Sequence, residues 1–411
     1  MPTHVKNRPL RLAGYVLAAA LALSAASAQA GPYLLMDADT GRVLAESDAG
    51  RPWYPASVTK LMTTYLAFRA MREGRAEPLT LLTVSENAQA QPPSKMGFKA
   101  GTTVTLDNAI KMLMVRSAND IAVVVAENLG GSLQAFIQEM NATAGRLGMS
   151  GTRFINPHGL PEEHQVTTAR DMAVLARALI EEFPEYELYF RIPAIQIGKR
   201  IIRNHNRLID RYPGADGMKT GFICSSGFNV VAAAQRNGKR LIVVVFGSYS
   251  AAQRSEDAAR LFERGFRRET TLASVADSEF GTLQSIRNLP GEPHDMRDEM
   301  CNPKRKRPAA ESDIDLDEED EPGTNGKARA SFLGALTPSM PPIRVFTGLP
   351  SKTPEETIAT KPSKPKTAAK PAKAEKPAKT KPVQAAGTIA LPAAATKPSA
   401  KVPQAPAQPK K

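Results

Sequence analysis

Cysteine is scarce in this chain: two occur in 411 residues, Cys224 and Cys301. One disulfide at most can form, and with one cysteine in the patterned part of the chain and the other in a tail, their pairing stays open. After residue 30 there are no long apolar runs, which leaves no stretch able to cross a bilayer. Large apolar side chains all but vanish from about the last 60 residues, where "KPSKPKTAAKPAKAEKPAKTKPVQ" is mostly lysine, proline and alanine. Such a segment cannot bury enough surface to offset its ordering entropy, so disorder is expected. Before it, "KRKR" at 304–307 and "ESDIDLDEEDE" at 311–321 form opposed charge blocks typical of unfolded chain.

The N-terminus is patterned differently. His4, Lys6, Arg8 and Arg11 precede the apolar run "AGYVLAAALALSAA", and "AQA" follows at 28–30. That is the order of a secretory signal peptide over 1–30, cleaved after Ala30, and an exported, periplasmic or cell-wall-associated protein is expected. The net charge of +13 would suit nucleic acid, but the export signal argues against that compartment. An anionic cell-wall polymer or a membrane surface is the expected counter-charge for the basic tail.

Between 31 and 270 the pattern is globular. "YLLMDADTGRVLAES" predicts a hairpin about Asp39-Thr40-Gly41. Helical spacing follows over 57–73, then from a Thr105 cap through an interruption near Ser117 to Gly130-Gly131, then in "LQAFIQEMNATAGRLGM" and from a Thr168 cap to Pro184. "FNVVAAAQ" and "RLIVVVFG" flank an Asn237-Gly238 turn, the strongest hairpin signal, and a last helical stretch closes the domain. Strands at both ends and helices between predict an α/β (α+β) domain, with an antiparallel sheet built from both chain ends and an inserted helical lobe. Residues 271–411 are expected to be a mostly disordered tail, with the docking of "ASFLGALTPSMPPIRVF" at 330–346 left open by the sequence.

Three short stretches carry chemistry. In "PASVTK" the plain reading is a helix cap by Ser57 or Thr59 with a solvated Lys60. "SAN" at 117–119 could likewise cap a helix, and "KTG" at 219–221 could turn into a strand. Together they suit acyl transfer. A serine hydroxyl needs a base to become a good nucleophile, and Lys60, one turn from Ser57, can serve if it is desolvated and crowded by a second cation, here Lys219. Ser117 can relay a proton, and Asn119 can hold Lys60 and bind a substrate amide. Lys219 and Thr220 offer a cation and a hydroxyl to a carboxylate. Gly221 leaves room beside the strand, and the backbone N–H groups of Ser57 and Phe222 would form an oxyanion hole.

With these motifs in this order the chain resembles the serine-type D-Ala-D-Ala carboxypeptidases, low-molecular-mass penicillin-binding proteins that share a fold with serine β-lactamases. The likeness runs from about Tyr33 to Phe266, through SxxK as "SVTK", SxN as "SAN", "FINPHGL" at 154–160, "RNHNRLI" at 203–209 and "KTG". It implies Ser57 as the acylated nucleophile, Lys60 as base, Ser117 and Asn119 as the second element, and Lys219 and Thr220 as substrate-binding residues. By its place after "KTG", Arg254 matches the family's carboxylate-holding arginine; its plain reading is a surface residue. The resemblance implies no metal or cofactor, a peptidoglycan stem peptide ending in D-Ala-D-Ala as substrate, and β-lactams as covalent inhibitors.

His205 departs from the pattern, standing where some relatives carry arginine, and it and His158 read as loop or packing residues. Nothing beyond 270 resembles the β-rich second domain of many relatives, and "KVPQAPAQPKK" has no apolar face for an anchor helix. A class A β-lactamase would usually show "SDN" and a Glu-containing deacylation loop, which are not found. Two alternatives to carboxypeptidase action remain: a DD-endopeptidase cutting cross-links, and an inactive wall-binding module.

Overall fold

Strictly alternating side chains at Leu34, Leu35 and Met36 bury on opposite faces of a sheet. The computed structural model describes residues 31–267, 280–302, 304 and 331–350, so the expected signal peptide, the charge blocks beyond 304 and the Lys/Pro/Ala-rich stretch lie outside the described residues. Strands β1 (Tyr33–Asp37) and β2 (Val43–Ser47) form the first hairpin. The Asp37 carboxylate accepts from the Thr40 N–H and hydroxyl inside its turn, an Asx-type closure.

Short strands β3 (Leu81–Thr83) and β4 (Thr103–Thr105) pair within the helical part, and β5 (Ala194–Ile197) and β6 (Arg200–Arg203) make a second ribbon. Strands β7 (Ala215–Ile223), β8 (Gly227–Arg236) and β9 (Lys239–Ser248) complete the five-stranded sheet in the order β2-β1-β9-β8-β7. Every pairing in it is antiparallel, so the first and last strands of the domain meet at β1 and β9, as the element order implies. The Asn237-Gly238 turn has both residues at positive φ, 50° and 79°, the geometry two-residue hairpins prefer.

One sheet face, with Leu34, Met36, Val231 and Val244, packs on the helical lobe. The other, with Leu35, Val230, Val243 and Val245, packs on the helix Ala251–Arg267 through Ala258, Ala259 and Phe262. Covering both faces explains why "RLIVVVFG" is apolar throughout rather than alternating. At the lobe's centre the helix Asn119–Gly130 is buried all round from Ile121 to Ala126, the signature of a core helix. No single helix among the described residues is long and apolar enough to cross a membrane.

The tail expected from 271 onward needs correction. Residues 280–302 lie on the domain: Leu283, Met296 and Met300 are buried, the Leu283 and Leu289 N–H groups donate to Gly41 O and Gly50 O, and Met296 N–H donates to Ser225 O. A disulfide joins Cys224 to Cys301, closing the question the sequence left open. Residues 331–350 dock too. Gly334 and Thr337 donate to the carbonyls of Arg211 and Asp210, and Ile343–Arg344 pairs in parallel with β5 as β10. These stretches lack a core of their own and lend single apolar side chains to the domain's, each worth about 1.5–3 kcal/mol when buried. Composition counted over a window does not show that.

Candidate active site

The turn Ala56–Thr59 precedes the helix Lys60–Arg72, and neither has a side-chain cap. The capping reading of Ser57 and Thr59 therefore fails, and the Ser57 hydroxyl is available to the cleft. Ala56 sits at φ 49°, a left-handed backbone that costs an alanine about 1–2 kcal/mol. Surrounding contacts impose it. Asn229 Nδ2 donates to Tyr54 O and Pro55 O at 3.0 and 3.2 Å. Trp53 N–H donates to Thr167 O, and a Cβ on Gly159 would lie 1.8 Å from Ala56 O.

Lys60 is fully buried. Its Nζ lies 2.8 Å from Ser57 Oγ, 2.8 Å from Asn119 Oδ1 and 2.7 Å from His158 O. Asn119 and the His158 carbonyl can only accept from it, whereas a serine hydroxyl can donate as well. A neutral amine has two N–H groups for the two pure acceptors and one lone pair left for Ser57. The surroundings thus fit both protonation states of the pair without rearrangement.

"SAN" enters the same cleft. Ser117 holds φ 59°, and the helix that follows is capped at Ala118 without a side-chain bond, so Ser117 is not a cap either. Its Oγ is buried without a hydrogen-bond partner among the described residues, as is Thr220 Oγ1. Buried hydroxyls are rarely left so. Asn119 Nδ2 donates to Pro92 O at 3.0 Å and keeps a second N–H.

"KTG" lies inside β7, the edge strand, rather than in a turn. Lys219 is buried, with Nζ 2.9 Å from Thr220 O. A Cβ on Gly221 would lie 2.7 Å from Ser57 N and 3.1 Å from Val58 N. The room Gly221 leaves is therefore filled first by the serine's own backbone, which brings the first and third motifs into contact. Phe222 stacks on Phe228 at 4.2 Å. Arg254 is not a surface residue: it is 1% exposed, donates to Asn229 O and His205 O at 3.4 and 3.1 Å, and lies over the Phe228 ring.

Two contributors escape a side-chain reading. His158 acts through its carbonyl, which no motif displays. Asn229 was detectable as a lone polar residue in the apolar run "FNVVAAA", where burial obliges it to find partners. The His158 ring is buried, and its Nδ1 accepts from Leu160 N–H. Burial, helped by the Lys60 charge, lowers its pKa from 6.5 to about 3. Because the folded value is depressed, the unfolded chain binds the extra proton, and stability falls as pH drops from about 6.5 towards 3. Compared with His158→Asn, which keeps an acceptor for Leu160, the native protein should lose up to about 1.4 kcal/mol more per pH unit in that window. Urea unfolding at pH 7 and pH 4.5 measures it; equal losses would show that the ring is not buried neutral.

A hydroxyl bonded to a buried amine, between an antiparallel sheet and a helical lobe, places the molecule among serine peptidases that pair serine with lysine. The family model for peptidase S11, D-alanyl-D-alanine carboxypeptidase, matches residues 19–250. The chain is 35% identical over 273 residues to D-alanyl-D-alanine carboxypeptidase DacC of Escherichia coli, a match covering 64% of this chain and 68% of that protein. It is 34% identical over 239 residues to DacF of Bacillus subtilis, covering 57% and 61%. Among solved structures, penicillin binding protein 5 from Haemophilus influenzae superposes with a TM-score of 0.56 at 32% identity, over 58% of this chain and 71% of that one. Penicillin-binding protein D2 from Listeria monocytogenes, solved in a cefotaxime-bound form, gives 0.53 at 29%, over 58% and 97%. The chain belongs to the D-alanyl-D-alanine carboxypeptidase family and is a serine-type DD-carboxypeptidase.

Proposed function

We propose that the protein is exported and removes the terminal D-alanine from peptidoglycan stem peptides through an acyl-enzyme on Ser57. The observation that carries this reading is the Lys60 amine, buried and shared among Ser57, Asn119 and the His158 carbonyl. In the proposed cycle Lys60 takes the Ser57 proton as Oγ attacks the carbonyl between the two D-alanines. The N–H groups of Ser57 and Phe222 stabilise the oxyanion. Ser117 passes a proton to the departing amine, and C–N cleavage frees D-alanine. Water then attacks the ester with Lys60 again as base, restoring Ser57.

Lys219 and Thr220 hold the substrate's terminal carboxylate, and the spare N–H of Asn119 binds a substrate amide. Arg254 serves by holding the Asn229 and His205 carbonyls, which steadies β8 beneath the Ser57 turn. A β-lactam would acylate Ser57 by the same steps and leave slowly.

The test incubates purified protein with a stem pentapeptide ending in D-Ala-D-Ala and assays free D-alanine, with labelled penicillin run in parallel and the Ser57 peptide examined for an adduct. Release with a long-lived adduct is expected. An adduct without release would point to cross-link cleavage instead, and neither would leave a wall-binding module. We assign wall retention to the basic tail. Removing residues 351–411, and so keeping the docked 280–302 and 331–350 segments, should leave turnover of a soluble peptide unchanged and lower the fraction retained on isolated walls. Equal retention would remove the tail's role.

A further inference from the structure

The loop 84–102 between β3 and β4 runs beside Asn119 and has little core to rest on. Between Ala88 and Val104 no residue is buried, and only Met96 and Phe98 lean partly on the core. A segment with so few buried apolar contacts takes its position from polar bonds. Those of this loop converge on "SAND" at 117–120 and the residue before it. Asn119 N–H donates to Ser94 O at 2.7 Å, Asn119 Nδ2 donates to Pro92 O at 3.0 Å, and Ser94 Oγ donates to Arg116 O at 2.9 Å. The Pro92 carbonyl decides which end of the Asn119 amide faces Lys60: an acceptor there takes the NH2, and so turns Oδ1 to the Lys60 amine 2.8 Å away.

Asp120 holds the loop in turn. Its side chain is buried, 1% exposed. The carboxylate accepts from Met96 N–H at 3.1 Å to each oxygen and from Gly97 N–H at 2.8 Å. It also accepts from Ile121 N–H of its own helix at 2.9 Å. Taking a carboxylate out of water is costly, and its place in the first turn of the helix Asn119–Gly130 offsets only part of that through the helix dipole. A cap for its own helix would need the Ile121 bond alone. The others reach outward, to a loop with no other anchor of comparable burial.

We propose that Asp120 is a positioning residue for acyl transfer: it clamps Met96 and Gly97, and the clamped loop fixes, through Pro92 O and Ser94 O, the Asn119 amide that orients Lys60. On the carboxypeptidase reading, on which this inference rests, Asp120 touches neither the substrate nor Ser57 and acts through Asn119. With the clamp open, the loop can move away and Asn119 loses its Pro92 acceptor. The amide can then turn its NH2 towards Lys60, where the amine meets a donor instead of an acceptor.

The test compares the full-length native protein with Asp120→Asn, which keeps the shape and sets an NH2 against the Met96 or Gly97 N–H. Acylation by labelled penicillin is measured per folded molecule, with the folded fraction taken from urea unfolding in the same buffer. A merely structural role would lower that fraction and leave the rate constant where it was. As a positioning residue, Asp120 should cost the rate constant about 10- to 100-fold, the scale of a small misplacement of reacting groups, with Ser57 still the labelled residue. Hydrogen exchange on the native protein reads the clamp directly. The Met96 and Gly97 amides should exchange slowly, and those of Phe98 and Lys99, which have no acceptor among the described residues, fast. Should Asp120→Asn not fold, Ser94→Ala decides. It removes the bond to Arg116 O, loosens the same loop and should slow acylation about fivefold, the scale of one hydrogen bond. A rate per folded molecule equal to the native one in the deciding variant, or native Met96 and Gly97 amides exchanging as fast as that of Phe98, overturns the clamp while Ser57 labelling of the native protein still stands. Native protein that takes no label and releases no D-alanine would remove the carboxypeptidase reading, and the role of Asp120 with it.

Discussion

Ser57→Ala protein should form no penicillin adduct and release D-alanine at least about a thousandfold more slowly than the native enzyme, the scale of losing a catalytic nucleophile. It should still fold. The Ser57 hydroxyl contacts Lys60, and its loss leaves the amine with the Asn119 and His158 acceptors. Nor does the hydroxyl cap the helix behind it, so removing it should change stability by no more than about 1 kcal/mol, the net worth of one hydrogen bond. Intact-protein mass after exposure to penicillin and a thermal melt measure the two effects. An adduct that persists in this variant would place the nucleophile elsewhere.

The second large effect belongs to Lys60. Lys60→Met should keep the volume, remove the base and slow both acylation by penicillin and peptide turnover by about 10²–10⁴ per folded molecule, the range for positioned proton transfer. It also strands Asn119 Oδ1 and His158 O as buried acceptors, at about 1–3 kcal/mol each, so rates must be referred to the folded fraction. Lys60→Arg separates chemistry from charge. A guanidinium keeps the positive charge and the donors but does not give up a proton at working pH. If Lys60 is the base, arginine should not restore the rate; recovery by arginine would make Lys60 a charge-stabilising residue only.

How much of this was legible differs residue by residue. The first hairpin, the Thr105 and Thr168 caps and the Asn237-Gly238 turn are all found where the sequence places them, because each is set by local chemistry within a few residues. The grouping of Ser57, Lys60 and Asn119 was legible from motif spacing, and the structure brings the three within hydrogen-bonding distance through the Lys60 amine. Arg254 was legible as a position but not as an environment: spacing after "KTG" does not reveal whether a guanidinium is solvated or, as here, buried against two carbonyls. The sequence-based reading left the docking of 330–346 open and missed that of 280–302 because composition averages over a window, whereas Met296 and Met300 dock as single side chains into a core made by others.

The order of elements, the hairpins and caps, and the residue types of the three motifs were determined by the sequence alone, since strand alternation, turn geometry and one-turn spacing act over ten residues or fewer. Only the tertiary structure decided the rest: that the backbone of His158 is a partner of the Lys60 amine, that Gly221 is demanded by the Ser57 backbone, and that Cys224 meets Cys301 across 77 residues. Those contacts join segments far apart in the chain. Closing such loops is set by how the whole core packs, and no local pattern records it.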